Sequence, residues 1–282
     1  MDRAEQVTDP CAYHAEGPVW WRAWGGLRWV DMLAGDVLSL DEVTGSVGRQ
    51  HVGDVVAALR PRRDGGFVAA VERGFALVDA DGSVQSLGEV WSDRGVRMNE
   101  GGCDPDGRFY AGSMRYDGSP GRGSLYVLAP DGGVREVVDK MSISNGLAWS
   151  PDRSVAYYVD TVTQRVDAFS YDPAAGLHDR RDLFTIPAEA GAPDGITVDA
   201  DGFVWVALYG GGAVRRYRPD GVLDGVVEVP VRRVTACTLG GPDLCELFIT
   251  TSREGEDPEP EAGSVFRCRV DVVGLPAAAF SG

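Results

Sequence analysis

A polar residue recurs in the same slot of a repeated phrase at four points along the chain. The phrase reads Glu16-Gly-Pro-Val-Trp, Asn99-Glu-Gly-Gly-Cys, Asn145-Gly-Leu-Ala-Trp and Asp194-Gly-Ile-Thr-Val. A turn follows each one, at Trp24-Gly25, Asp106-Gly107, Asp152-Arg153 and Asp201-Gly202. Internal repetition of this kind marks stacked or radially arranged units, none of which buries its apolar face alone. In a ring of such units, equivalent slots point at one place.

Short apolar strands fill the intervals between the phrases. Leu27–Asp31, Phe67–Ala70, Arg108–Ala111, Val155–Asp160, Phe203–Ala207 and Leu247–Thr250 each follow a Gly- or Asp-rich turn, and each precedes a further strand. Successive turns recur at roughly 40–50 residues, the length of a four-stranded propeller blade. The 38 glycines and 16 prolines suit many tight turns. No long amphipathic helical period separates the strands, which disfavours an α/β fold. The expectation is all-β: a six-bladed β-propeller of four-stranded antiparallel blades around a central channel, one domain over residues 1–282. The segment up to Cys11 is expected to close the ring as the outer strand of the last blade.

In a propeller the first strand of each blade lines the channel. Glu16, Asn99, Asn145 and Asp194 all fall at the entry to such a strand. The matching slots of the second and sixth units fall near Ala57 and at Thr235. Taken singly, Asn145-Gly146 and Asp194-Gly195 also read as local turn formers. Glu16 alone reads as a solvated loop carboxylate, and Asn99 as a cap on a neighbouring turn. Their shared register favours convergence instead. Two carboxylates and two amides form an all-oxygen set, suited to one hard divalent ion, Ca²⁺ first, then Mg²⁺ or Mn²⁺. Zn²⁺ stays open as an alternative, although it would more often recruit His or Cys, and none of His14, His51 and His178 occupies an entry slot.

Bulk properties narrow the partners. A net charge of −16 argues against nucleic acid and against an anionic membrane surface. The N-terminus has no apolar run resembling a signal peptide, and no stretch approaches a membrane span, so the expected location is cytoplasmic. The five cysteines are scattered without metal-site spacing and read as small core residues. Neither a Gly-x-Ser-x-Gly elbow nor a phosphate-binding loop is present. Oligomeric state is not legible in the strand pattern.

Read together, these phrases resemble the regucalcin–gluconolactonase–luciferin-regenerating enzyme family. The resemblance is carried by Glu16-Gly-Pro-Val-Trp, Arg97-Met-Asn-Glu-Gly-Gly-Cys-Asp-Pro-Asp-Gly, Ser144-Asn-Gly-Leu-Ala-Trp-Ser-Pro-Asp and Pro193-Asp-Gly-Ile-Thr-Val-Asp. Trp205-Val-Ala-Leu-Tyr-Gly-Gly-Gly and Thr235-Ala-Cys-Thr-Leu-Gly-Gly-Pro-Asp extend it over nearly the whole chain. The resemblance implies a divalent metal held by Glu16, Asn145 and Asp194. It implies substrate contacts from Arg97 and Asn99, and Asp194 as general base. The implied activity is hydrolysis of a small lactone, commonly a sugar lactone. Glu100 stands where the family usually has Asp, and its extra methylene lengthens the reach into the pocket by roughly 1.5 Å; it is grouped with the substrate residues. Arg153 stands where Gly is common, and the short loop Met114–Gly123 offers only Asp117 as a carboxylate. Two alternatives stay open: a pathway-specific metal-dependent ring-opening, cyclising or isomerising enzyme on the same site, or a non-catalytic calcium-binding propeller.

Overall fold

A computed structural model describes residues 2–282. Six sheets follow one another along the chain, and each is a meander that runs from the centre outward. The inner strands are Ala15–Trp21, Val56–Pro61, Val96–Cys103, Ser144–Trp149, Ala192–Val198 and Val234–Gly240, which open blades 1 to 6 in that order. The fold is the expected six-bladed β-propeller, with almost no helix. Among the described residues no helix is long and apolar enough to cross a membrane.

The N-terminus closes the ring, with one refinement. Glu5–Gln6 pairs antiparallel with Phe266–Arg267 and supplies the outer strand of blade 6, as expected. Asp2–Arg3 continues past it and pairs in parallel with Val227–Glu228 of blade 5. Blade 5 therefore has five strands instead of four, and among the described residues it holds the one parallel strand pairing, beside an isolated parallel bridge between Arg62 and Phe280. Closure by an early strand joins both ends of the chain to one sheet and leaves fewer open edges.

The apolar faces of neighbouring blades form the core. Trp29, Phe67, Phe75, Phe109, Phe248, Phe266 and Phe280 are fully buried there. Phe75 of blade 2 meets Phe109 of blade 3 edge-to-face at 5.8 Å. The recurrent Asp turns are structural. Asp199 accepts backbone N–H bonds from Asp201 and Phe203, both at 3.0 Å, and its other oxygen takes Trp205 Nε1 and Arg216 Nε. Asp104 does the same for Asp106 and Arg108. Both carboxylates are fully buried and paired, so neither is free for chemistry.

Towards the axis the inner strands crowd, and small residues follow. A Cβ on Gly195 would lie 2.5 Å from the Ala236 Cβ of the next blade, and one on Gly146 would lie 2.7 Å from the Ile196 nitrogen. Neither glycine adopts a positive φ. The Asn-Gly and Asp-Gly pairs are therefore strand residues that let adjacent blades approach. They are not turns.

Candidate functional site at the mouth of the channel

Every inner strand loses register with its partner at the slot. The shifts fall between Glu16 and Val19, Val56 and Ala58, Met98 and Gly101, Ser144 and Leu147, Pro193 and Ile196, and Val234 and Ala236. A bulge bends its strand and re-aims a side chain. Six equivalent bulges therefore turn six side chains inward at one level. Four are the polar residues singled out by sequence, and the other two are Ala57 and Thr235.

The level is continuous around the ring. Asn99 Nδ2 donates to Asn145 Oδ1 at 2.8 Å and to the Ser144 carbonyl at 2.9 Å. Gly146 abuts the backbone of Asp194–Ile196, and Gly195 abuts Thr235–Ala236. Thr235 Oγ1 donates to the Ala15 carbonyl at 2.6 Å, which closes blade 6 onto blade 1. Gly17 in turn lies against Ala57 and Ala58. Glu16, Asn99, Asn145 and Asp194 are all buried at 5 % exposure or less, though each sits in a loop-entry position.

Two aspartates on second strands fix the entries. Asp31 Oδ1 accepts from the Tyr13 and His14 amides at 3.0 and 3.1 Å, just before Glu16. Asp160 accepts from the Ser142 and Ile143 amides, both at 2.9 Å, just before Asn145. Asn145 Nδ2 donates to Thr161 Oγ1 at 2.7 Å. That bond, with the Asn99 contact, orients the Asn145 amide and leaves one lone pair of Oδ1 for a further partner.

Electrostatics in the ring are unfavourable as they stand. Burial, and then the Glu100 charge, push Glu16 up to about 8. Burial lifts Glu100 to about 7, against the pull of Arg60. Asp194 is held well above its usual range by burial first, then by Glu16 and Glu100. Asp194 Oδ1 and Glu100 Oε2 are buried without any hydrogen-bond partner. The orphaned Asp194 oxygen, in a buried setting where Glu16 is the strongest neighbouring charge, fits a cation ligand. Among the described residues no three His, Cys, Asp or Glu side chains gather on a single point. A hard ion at this level would have to draw on the Asn145 amide beside the Glu16 and Asp194 carboxylates. The donors are all oxygen, which fits a calcium-type ion.

Arg97 stands beside this set. Its Nη1 donates to Asn99 Oδ1 at 2.6 Å and to the Met98 carbonyl at 2.9 Å. Nη1 also meets Met32 Sδ at 3.2 Å, Nε and Nη2 meet no acceptor among the described residues, and the guanidinium lies 5.7 Å from the Tyr116 ring centroid. Tyr116 is held by Glu72 Oε1 at 2.8 Å. On the opposite rim Glu254 lies between His14 Nδ1 at 3.3 Å and the Tyr209 hydroxyl at 3.4 Å. The His14 hydrogen bond holds Glu254 below its ordinary value. Asp117 is exposed and pairs with Arg115 at 3.2 Å.

Sequence reasoning found the slot residues and Arg97. It missed Glu254, Tyr116 and Thr161, which come from loops and second strands that share no register with the slots. Glu100 is the displaced member. It follows Asn99 on the same bulge, yet it joins none of the mouth's hydrogen bonds. It lines a cavity further along the inner strands, together with Arg60.

A buried ring of carboxylates and amides at the axis of six blades defines a β-propeller with a polar site at its channel mouth. Within that class the chain belongs to the SMP-30/Gluconolactonase/LRE-like family, whose model matches residues 14–253. Curated relatives include regucalcin of Oryctolagus cuniculus, 37 % identical over 99 % of each chain. Human regucalcin is also 37 % identical, over 89 % of each chain. Among solved structures, a luciferin-regenerating enzyme superposes with a TM-score of 0.92 at 29 % identity, covering 99 % of each chain. A calcium-binding regucalcin from Agrobacterium tumefaciens gives 0.91 at 29 %, covering 99 % of this chain and 97 % of that one. A gluconolactonase from Xanthomonas campestris gives 0.76 at 25 %, covering 94 % and 88 %. The family and fold expectations hold.

Proposed function

We propose that the chain is a metal-dependent lactonase, with Glu16, Asn145 and Asp194 as ligands of one divalent ion, Ca²⁺ first. The observation that carries this reading is the unpartnered Asp194 Oδ1, buried beside two further carboxylates. Within the protein the Arg97 charge offsets that group only against burial and the neighbouring carboxylates, whereas a bound cation would offset it directly. When bound, the ion supplies Lewis acidity to a lactone carbonyl.

The protein's own groups supply the rest. Asp194 has one oxygen for the ion and a second for a proton, so it serves as general base toward an attacking water. Arg97 has free N–H donors beside the ring and, with Asn99, holds substrate oxygens and developing negative charge. Asn99 also locks the Asn145 amide, which ties substrate binding to ligand geometry. Tyr116 and Glu254 set the width and charge of the mouth. Glu100, grouped with the substrate residues by sequence, faces the far side of the ring, and in this proposal Arg97 and Asn99 carry that role. The regucalcin and gluconolactonase relatives support a lactone as substrate class.

The test is a pH-stat assay on the metal-stripped protein with D-glucono-δ-lactone and a panel of other lactones. Turnover that appears with added calcium and disappears with chelator supports the proposal. Tight calcium binding with no lactone turned over would leave a binding propeller instead.

A further inference from the structure

Below the ring of slots, further along the inner strands, lies a cavity of about 470 Å³. Its walls come from the second halves of those strands, so it is on the far side of the carboxylates from the mouth. A volume of roughly 300–1,000 Å³ with apolar walls and few polar groups is typical of a small-molecule site. The walls include Trp21, Leu147, Trp149, Ile196 and Leu239.

The polar groups are unevenly charged. Arg60, Arg63 and Arg153 contribute to the lining, and the one acidic residue is Glu100. That is a local positive excess in a chain of net charge −16. Arg60 makes one side-chain hydrogen bond, from Nη1 to the Leu59 carbonyl at 2.7 Å, and no ion pair. Glu100 is 4 % exposed, and its Oε2 has no partner. The two charges feel each other without touching. A deep guanidinium and a deep carboxylate are thus both left short of partners in one space, with two further arginines at its rim.

The outer wall is the C-terminal segment. Gly274 is anchored to Leu244 at 2.8 Å, and Phe280 is anchored to Pro61 at 2.8 Å and by its carbonyl to Arg63 at 3.0 Å. Between these anchors Leu275, Pro276, Ala277, Ala278 and Ala279 lie over the cavity and make no backbone hydrogen bond. Between its anchors the strap is held by side-chain packing, Leu275 and Ala278 against the blade cores, and by no backbone hydrogen bond, so its displacement gives a ligand a way in that leaves the blades undisturbed.

We infer that this cavity is a second ligand site, for a small organic acid with an apolar body and a hydroxyl beside its carboxylate. Arg60 takes the carboxylate, with Arg63 and Arg153 drawing the anion in. Glu100 accepts from the hydroxyl, and the tryptophans cover the apolar body. The inference is independent of lactone chemistry at the mouth.

The probes are phenyllactate, hydrocinnamate, which lacks the hydroxyl, and hydrocinnamyl alcohol, which lacks the carboxylate. Binding is followed by calorimetry and by the fluorescence of Trp21 and Trp149. The expected result is saturable binding of phenyllactate, weaker binding of hydrocinnamate and none of the alcohol, with or without calcium. Arg60→Met should weaken phenyllactate roughly ten- to hundredfold. Ala277→Phe, which fills the space under the strap and leaves the strands alone, should also weaken it. Asp194→Asn should leave it unchanged. The inference is overturned if neither acid binds saturably. It is equally overturned if Asp194→Asn abolishes binding while Arg60→Met and Ala277→Phe do not.

Discussion

Replacing Asp194 by Asn should cost the metal-free protein almost nothing while removing its response to calcium. Replacing a buried, partnered carboxylate usually destabilises. Here Oδ1 has no partner, and burial with Glu16 and Glu100 holds the group well above its usual pKa. Without metal the charged form of the side chain is therefore disfavoured, and Asn is a neutral isostere of the protonated form. The change in metal-free stability should stay within about 1 kcal/mol. Calcium at a hundredfold excess over its dissociation constant stabilises the wild type by roughly 2.7 kcal/mol. For a chain of this size that corresponds to a rise in Tm of roughly 4–5 °C. The variant should show a rise of less than about 1 °C, because Asn cannot supply the charge that holds the ion. Scanning calorimetry of both proteins, with chelator and with calcium, reads both numbers. A variant that loses several kcal/mol in chelator, or one that keeps the calcium shift, would refute the reasoning.

Three further outcomes follow from the same geometry. The folded pKa of Glu16 is near 8 against an ordinary value of 4.5, so the metal-free protein binds more protons folded than unfolded. Its stability should therefore fall as pH rises from about 4.5 to 8, and calcium affinity should rise over the upper part of that window; a flat urea-midpoint profile would count against the shared burial. Gly195→Ala would set a Cβ 2.5 Å from that of Ala236, so it should destabilise by roughly 1–3 kcal/mol in denaturant titration, and a neutral result would mean the blades are not in contact there. Arg153 holds φ at +65°, so Arg153→Gly should raise stability by up to about 1 kcal/mol in the same titration, and a loss would show that its side chain outweighs the strain.

The architecture was legible because a propeller repeats its own grammar. Each blade places a slot, a turn and two or three short strands in the same order, and the four slots filled by Glu16, Asn99, Asn145 and Asp194 fall into register in the sequence itself. The cause of their convergence was not legible. Each strand holds one residue more than its partner across the slot, and a bulge is defined by the partner strand, not by the bulged sequence itself. The glycines after the slots read as turn formers, yet Gly146 and Gly195 are extended residues pressed against the next blade. Such packing depends on a neighbour some fifty residues away in sequence, by the blade period. Glu254, Tyr116 and Thr161 escaped for a related reason: they reach the mouth from loops of unequal length. The strap Leu275–Ala279 carries no motif at all, and its place across the channel follows from its two anchors and the side-chain packing between them.

The most direct test of the metal centre is anomalous diffraction from crystals of the protein soaked in manganese or grown with calcium. A single ion should appear at the mouth, with Glu16, Asn145 and Asp194 oxygens within about 2.6 Å of it. An ion held elsewhere, or these three side chains remaining apart with metal bound at none of them, would contradict the account.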